Sequence, residues 1–187
     1  TAYRRQRQMC IRDRVDDDMS KLEKTLKAAG INVVYAVAGD CIKSGEFSVK
    51  CMHPCDGYDY ESANDYSAVY LVEYGDFSML MTGDAEKKAE KCIVEDVNRI
   101  AGDADTSARL VSVNILKVGH HGSKGASSEE FLSYIKPETA LISCGAGNSY
   151  GHPHTETLKR LSGIKAKVYR TDESGEIAVR VRAVSYT

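Results

Sequence analysis

The run Leu116-Lys117-Val118-Gly119-His120-His121-Gly122-Ser123 constrains this chain more than any other stretch. Val111, Val113, Ile115, Leu116 and Val118 read as a buried strand that leads straight into two histidines and a glycine-serine turn. Sheet proteins expose chemistry at such places, because the strand fixes the backbone and the loop opens to solvent. Two further segments have the same form. Phe77-Ser78-Met79-Leu80-Met81 leads through Thr82-Gly83 to Asp84, and Ala140-Leu141-Ile142-Ser143-Cys144 leads into the loop Gly145 to His154, which holds Asn148, His152 and His154. Apolar strands that each deliver His or Asp at the C-terminal end point to a metal site.

Length and composition bound the rest. The 187 residues suffice for one domain burying about two-thirds of its unfolded surface. Hydrophobic content of 42% and charged content of 28% describe an ordinary globular chain. A formal net charge of -2 leaves no nucleic-acid footprint by itself, although an acidic nuclease can still carry a locally basic groove. No apolar run approaches the ~20 residues that span a bilayer. The cysteines (Cys10, Cys41, Cys51, Cys55, Cys92 and Cys144) show no paired CxxC spacing, and Cys51 with Cys55 lacks a second pair to complete a zinc site. They read as buried free thiols, which leans towards a reducing, cytoplasmic compartment.

Residues 1–14 differ in character from the rest of the chain. Arg4, Arg5, Arg7, Arg12 and Arg14 stand there without an amphipathic period or an apolar signal core, so the stretch reads as a foreign leader or a disordered basic arm. Asp16 to Gly30 has the marks of a helix, with acids first and a glycine stop. Ile31 to Val37 reads as a buried strand, and Phe47, Val49 and Cys51 alternate as a second. Ser67 to Tyr74 and Phe77 to Met81 form a hairpin across Gly75-Asp76. Helices are expected over Ala85 to Ile100, from a Ser127 or Ser128 cap to Ile135, and from a Thr155 cap to Leu161. Lys167 to Arg170 and Glu176 to Val181 read as a last hairpin. Strands alternating with helices give an α/β sandwich.

Taken residue by residue, two readings compete at each candidate. Asp84 can ligate metal or cap the helix that begins at Ala85. His120 and His121 offer neutral imidazole nitrogens, one to bind metal and the other to orient substrate, with His120 favoured as ligand because it leaves the strand first. Gly122-Ser123 supplies donors suited to a phosphate oxygen. Asn148 reads equally as substrate contact or turn former. His53 and Asn64-Asp65 read as loop polar groups before a further metal-binding position. Arg170-Thr171-Asp172 reads as a hairpin salt bridge before a phosphate clamp.

The order Thr82-Gly83-Asp84, Leu116 to Ser123, then Asn148-Ser149-Tyr150-Gly151-His152-Pro153-His154 resembles the metallo-β-lactamase-fold domain of ComEC-type competence proteins and their free-standing relatives. The resemblance runs from Val15 to Val181 and implies the C-terminal portion of an αββα sandwich. It implies Asp84 as a ligand bridging two divalent ions, zinc or manganese, and His120 or His121 as a further ligand. It gives His152 substrate contact or proton donation to the leaving group. A metal-bound hydroxide would then attack the phosphorus of a phosphodiester or nucleic-acid substrate. The fold's first metal motif, HxHxDH or HxDADH, is missing, since no histidine precedes His53. The chain is therefore expected to bind metal weakly, to turn nothing over by itself, and to self-associate through an apolar face where the other half would pack. Within a membrane competence protein the domain would be extracytoplasmic. A non-catalytic binding module and a small-ester or choline-phosphate esterase are the competing readings.

Overall fold

The computed structural model describes residues 17–55, 62–101 and 110–182. The basic leader, Cys10 and the loop Gly102 to Ala108 lie outside the described residues. The chain divides between Ala36 and Val37 into two compact units.

The first unit holds one helix, α1 (Asp17–Ala28). Its end is closed by Gly30 N–H donating to Lys27 O at 3.0 Å and Ile31 N–H to Leu26 O at 2.9 Å, with Gly30 in the left-handed conformation. This double closure satisfies carbonyls that a helix terminus otherwise leaves open. The expected strand over Ile31 to Val37 does not form: these residues carry no strand, and Ile31 and Val34 are exposed. An apolar run becomes a strand only where a neighbour completes its ladder, and none pairs with it among the described residues.

The second unit is built on a mixed sheet of β1 (Cys41–Ser44), β2 (Phe47–His53), β3 (Val69–Tyr74), β4 (Phe77–Met81), β5 (Ile115–Lys117), β6 (Thr139–Ile142) and β7 (Lys167–Arg170), in that spatial order. The first four strands are antiparallel neighbours, and β4 to β7 run parallel. Two-residue turns join β1 to β2 and β3 to β4, the latter at Gly75-Asp76, while a longer segment carrying Asn64 and Ser67 joins β2 to β3. The parallel half needs crossovers, which α2 (Lys87–Ala101), α3 (Glu129–Ile135) and α4 (Thr155–Gly163) supply. Ser128 caps α3 by accepting from Phe131 N–H at 3.4 Å. His154, not Thr155, holds the cap position of α4, and without a side-chain bond. Beyond β7 the expected second hairpin strand is absent, and Thr171–Ser174 (α5) forms one helical turn instead.

Register decides which residues enter the core. Lys50, Leu71, Leu80, Leu116, Ala140 and Val168 lie opposite one another across the sheet. This row packs with Ile93, Phe131, Leu132, Ile135 and Leu161 of the helices. The apolar alternation of β2 belongs to the other face: Phe47 is 41% exposed and Val49 half-buried, while Ser48 and Lys50 point inward. Val72, Met79, Ile115 and Leu141 continue that second face, along with the exposed Met81 and Tyr169. Both faces of the sheet are thus apolar, and three helices account for one.

Cys41, Cys51 and Cys144 are free thiols, but two cysteines depart from that reading. Cys55, just past β2, and Cys92, on α2, are joined as a disulfide with Cα atoms 6.4 Å apart. That separation lies within the range a disulfide bridges. Their sequence separation of 37 gave no sign of it, because only the packing of α2 across β2 brings them together. Cys51 remains a buried thiol, pushed up to about 11 by burial.

The register makes a direct prediction. Leu80→Ala should lower unfolding free energy by about 3 kcal/mol, whereas Ile42→Ala, at 72% exposure, should change it by less than about 0.5 kcal/mol. Urea midpoints of the two variants check this.

Candidate active site

Strands β4, β5 and β6 end side by side, and the loops leaving them meet. Thr82 is buried and its Oγ1 donates to the carbonyl of Lys117 at 2.7 Å, tying the end of β4 to the end of β5. The backbone N–H of His120 donates to Gly83 O at 3.0 Å. Gly119 permits this closeness, since a Cβ there would stand 2.9 Å from the carbonyl oxygen of Ala85.

His120, His121 and Gly122 all have positive φ, at 45°, 54° and 82°. Left-handed backbone at two consecutive non-glycine residues is strained, and surrounding structure must impose it. The imposing contacts are visible. The Nδ1–H of His120 donates to Glu86 Oε1 at 2.8 Å. The Nδ1–H of His121 donates to the carbonyl of Ser143, just past β6, at 2.6 Å. Gly122 lies against Pro153, where a Cβ would meet the proline Cβ at 2.6 Å. The Asn64 amide also stands 3.4 Å from His120 Nδ1. Amide and ring nitrogen would both be donors there, so the shorter carboxylate bond governs the tautomer.

In its neutral form each imidazole therefore carries its proton on Nδ1 and its lone pair on Nε2. Histidines that ligate metals show this pattern, with the second nitrogen donating to a carboxylate or a backbone carbonyl. His121 Nε2 faces Asp84 Oδ1 at 3.9 Å. That is too long for a hydrogen bond, but one ion with bonds of about 2.0–2.2 Å would bridge it. Asp84 is itself placed by Ser67, whose Oγ accepts from the Asp84 N–H at 3.3 Å.

His152 completes a histidine cluster. Its ring centroid lies 5.5 Å from that of His120, 6.4 Å from His121 and 4.8 Å from His154. Burial first, then the neighbouring imidazoles, hold its pKa below the ordinary histidine value. His154 accepts from the Lys124 N–H at 3.0 Å through Nδ1 and is fixed structurally.

The remaining sequence candidates have the following partners. Both amide hydrogens of Asn148 go to the carbonyls of Gly145 and His152, and its oxygen accepts from the His152 N–H at 3.0 Å, so the side chain closes the loop. Ser123 is buried, and its Oγ accepts from the Gly125 N–H. His53 is buried with Nδ1 on the carbonyl of Ser67, and burial holds it down at about 4. Asp65 is buried and raised by that burial. Arg170 grips Asp172 through two nitrogens and Glu173 through a third. Sequence reasoning missed Glu86. An acid in a helix's opening residues reads as dipole compensation, and its partner His120 is 34 residues away.

Metal fits this donor set only in part. Asp84 and His121 converge, but the ring centroid of His120 lies 6.4 Å from that of His121. Among the described residues the one group with three ligating atoms within 4.8 Å is elsewhere, at His53, Cys55 and Cys92. Two converging donors fall short of the three of a catalytic zinc site.

Over 165 residues, 87% of this chain, it is 36% identical to ComE operon protein 3 of Bacillus subtilis. It is 38% identical over 116 residues to Recombination protein 2 of Haemophilus influenzae, and 33% identical over 132 to Competence protein ComA of Neisseria gonorrhoeae. The chain is a relative of ComEC-type competence proteins. It spans 20%, 13% and 18% of those three proteins, respectively. No family model matches it.

Two predictions rest on these contacts. Gly122→Ala should lose about 3 kcal/mol of stability, because the methyl meets Pro153 and the backbone is left-handed; an unfolding free energy from urea titration lowered by less than about 1 kcal/mol would contradict it. Asp172 is pulled down to about 2, first by Arg170 and then by the Cys144 thiol. Its folded value lies below the unfolded value of about 3.9. Its contribution is therefore complete above about pH 4 and lost as pH falls towards 2. Asp172→Asn should flatten the pH dependence of the urea midpoint in that window.

Proposed function

We propose that this chain is the C-terminal half of a metallo-β-lactamase-fold domain from a DNA-uptake competence protein, and that the intact domain is a metal-dependent phosphodiesterase or nuclease. The observation that carries the reading is the pair of imidazoles with Nδ1 tied off, one of them facing Asp84 across 3.9 Å. His121 and Asp84 are the donors contributed to a zinc or manganese ion, and Glu86 orients His120 towards the same space. His152, kept neutral by burial, contacts the substrate by hydrogen bonding. The names of the relatives, competence and recombination proteins, agree with a nucleic-acid substrate.

Because the donors present do not complete a metal centre, no hydrolytic step is assigned to this chain alone. With the Cys55–Cys92 disulfide intact, the purified chain should retain less than one ion after desalting and should not hydrolyse bis-p-nitrophenyl phosphate above buffer with Mn²⁺ or Zn²⁺. Extending it with a preceding segment that bears HxHxDH should create hydrolysis. Asp84→Ala should then reduce the rate by a factor of about 100 or more, since even outer-sphere partners of a metal are worth 10–100-fold. Turnover by the chain alone would overturn the incomplete-site reading. An inactive extended protein would favour the second reading, a non-catalytic binding module, which the two-donor geometry already supports.

The second sheet face bears on association. No helix is long and apolar enough to cross a membrane among the described residues. Met81, Tyr169 and Phe47 nevertheless stand exposed on one face, and such a face favours self-association. Light scattering should show a mass above the monomer that rises with concentration; a constant monomer mass would contradict this.

A further inference from the structure

The buried cluster of His53, Cys55 and Cys92 is separate from the histidine site and takes no part in the function proposed above. One ring nitrogen of His53 and both sulfurs lie within 4.8 Å of one another. All three residues are buried, and the two cysteines share a core cluster with Met52, Val69, Ala89 and Ile93. His53 is held in orientation by its Nδ1–H bond to the carbonyl of Ser67 at 2.8 Å. The sulfurs are joined in this structure as a disulfide.

The chemistry of the three donors selects the ligand. Two thiolates and an imidazole form a soft set that suits zinc and excludes calcium or magnesium, which take oxygen donors. Charge narrows it further. In an apolar interior, uncompensated charge is costly, and two thiolates balance one divalent cation. Three protein donors with a fourth position left to water is an arrangement zinc takes readily. Two of the donors already stand on elements tied together by packing, so little rearrangement separates the crosslinked form from a metal-bound one.

We propose that, when the Cys55–Cys92 bond is reduced, His53, Cys55 and Cys92 bind one zinc ion, so that the cluster alternates between a metal-free disulfide and a zinc dithiolate. The steps balance. A thiol reductant of the dithiol class delivers two electrons and two protons to the S–S bond, giving two thiols and its own disulfide. Zinc then displaces the two thiol protons to solvent, with no change in its oxidation state. Reduction thus replaces one crosslink between the end of β2 and α2 with another. Because β2 leads to the segment that holds Asn64 and Ser67, and α2 comes just after Asp84 and Glu86, either crosslink keeps the two walls of the histidine site in register.

The test uses the full chain carrying Asp84→Ala and His121→Ala, which removes the converging donors of the other site. After anaerobic reduction with a phosphine and desalting, zinc is titrated against a chromophoric chelator, and cobalt(II) is added in a parallel sample. One zinc per chain and a near-ultraviolet sulfur-to-cobalt band are expected, both lost in the same protein carrying Cys92→Ser, with at least a tenfold drop in affinity. Equal zinc affinity with and without Cys92→Ser, or no binding in either, would overturn the proposal. Should Cys92→Ser fail to fold, the melting temperature decides. Zinc should raise it in the reduced double variant and not in the oxidised one; an equal rise in both, or none, would overturn the proposal.

Discussion

The parallel pairing of β4 with β5 is the constraint on which the rest of the molecule depends. It places Met81 opposite Lys117, so the two strands end at one level and the loops that leave them emerge together. Thr82 then locks the level by bonding to Lys117 O, and the His120 N–H reaches back to Gly83 O. Without this pair Asp84 and His121, separated by α2 and a long crossover, would have no reason to meet. The adjoining β6 adds the third wall, because the carbonyl of Ser143 takes the His121 proton.

Strain and support are balanced at the same place. Two histidines in left-handed backbone are unfavourable by themselves. They persist because a carboxylate, two carbonyls and a proline ring over-determine them: Glu86 on the first ring, Ser143 on the second, Gly83 on the backbone and Pro153 against Gly122. Packing thus fixes which nitrogen of each ring is tied off. Burial first, and then the neighbouring imidazoles, lower the pKa of His152 at the same place.

Much of this was legible in the sequence where the signal was local. The β3–β4 hairpin, the Ser128 cap and the three strand ends bearing polar residues come from spacing and turn chemistry alone. The failures share one cause, that the partner was remote. Ile31 to Val37 has the composition of a strand but lacks a neighbour among the described residues. Phe47 and Val49 alternate as expected, yet face away from the helices, because alternation does not say which face is covered. Glu86 and the Cys55–Cys92 link depend on residues more than thirty positions away.

Glu86 and the Ser143 carbonyl hold both imidazoles by Nδ1–H, and Nε2 of His121 faces Asp84. Long-range ¹H–¹⁵N correlation spectra of the histidine rings measure this directly at neutral pH. The account predicts that His120 and His121 are both Nδ1–H tautomers, and that Glu86→Ala releases the first while leaving the second unchanged. An Nε2–H tautomer at His121, or a His120 spectrum indifferent to loss of Glu86, would contradict it.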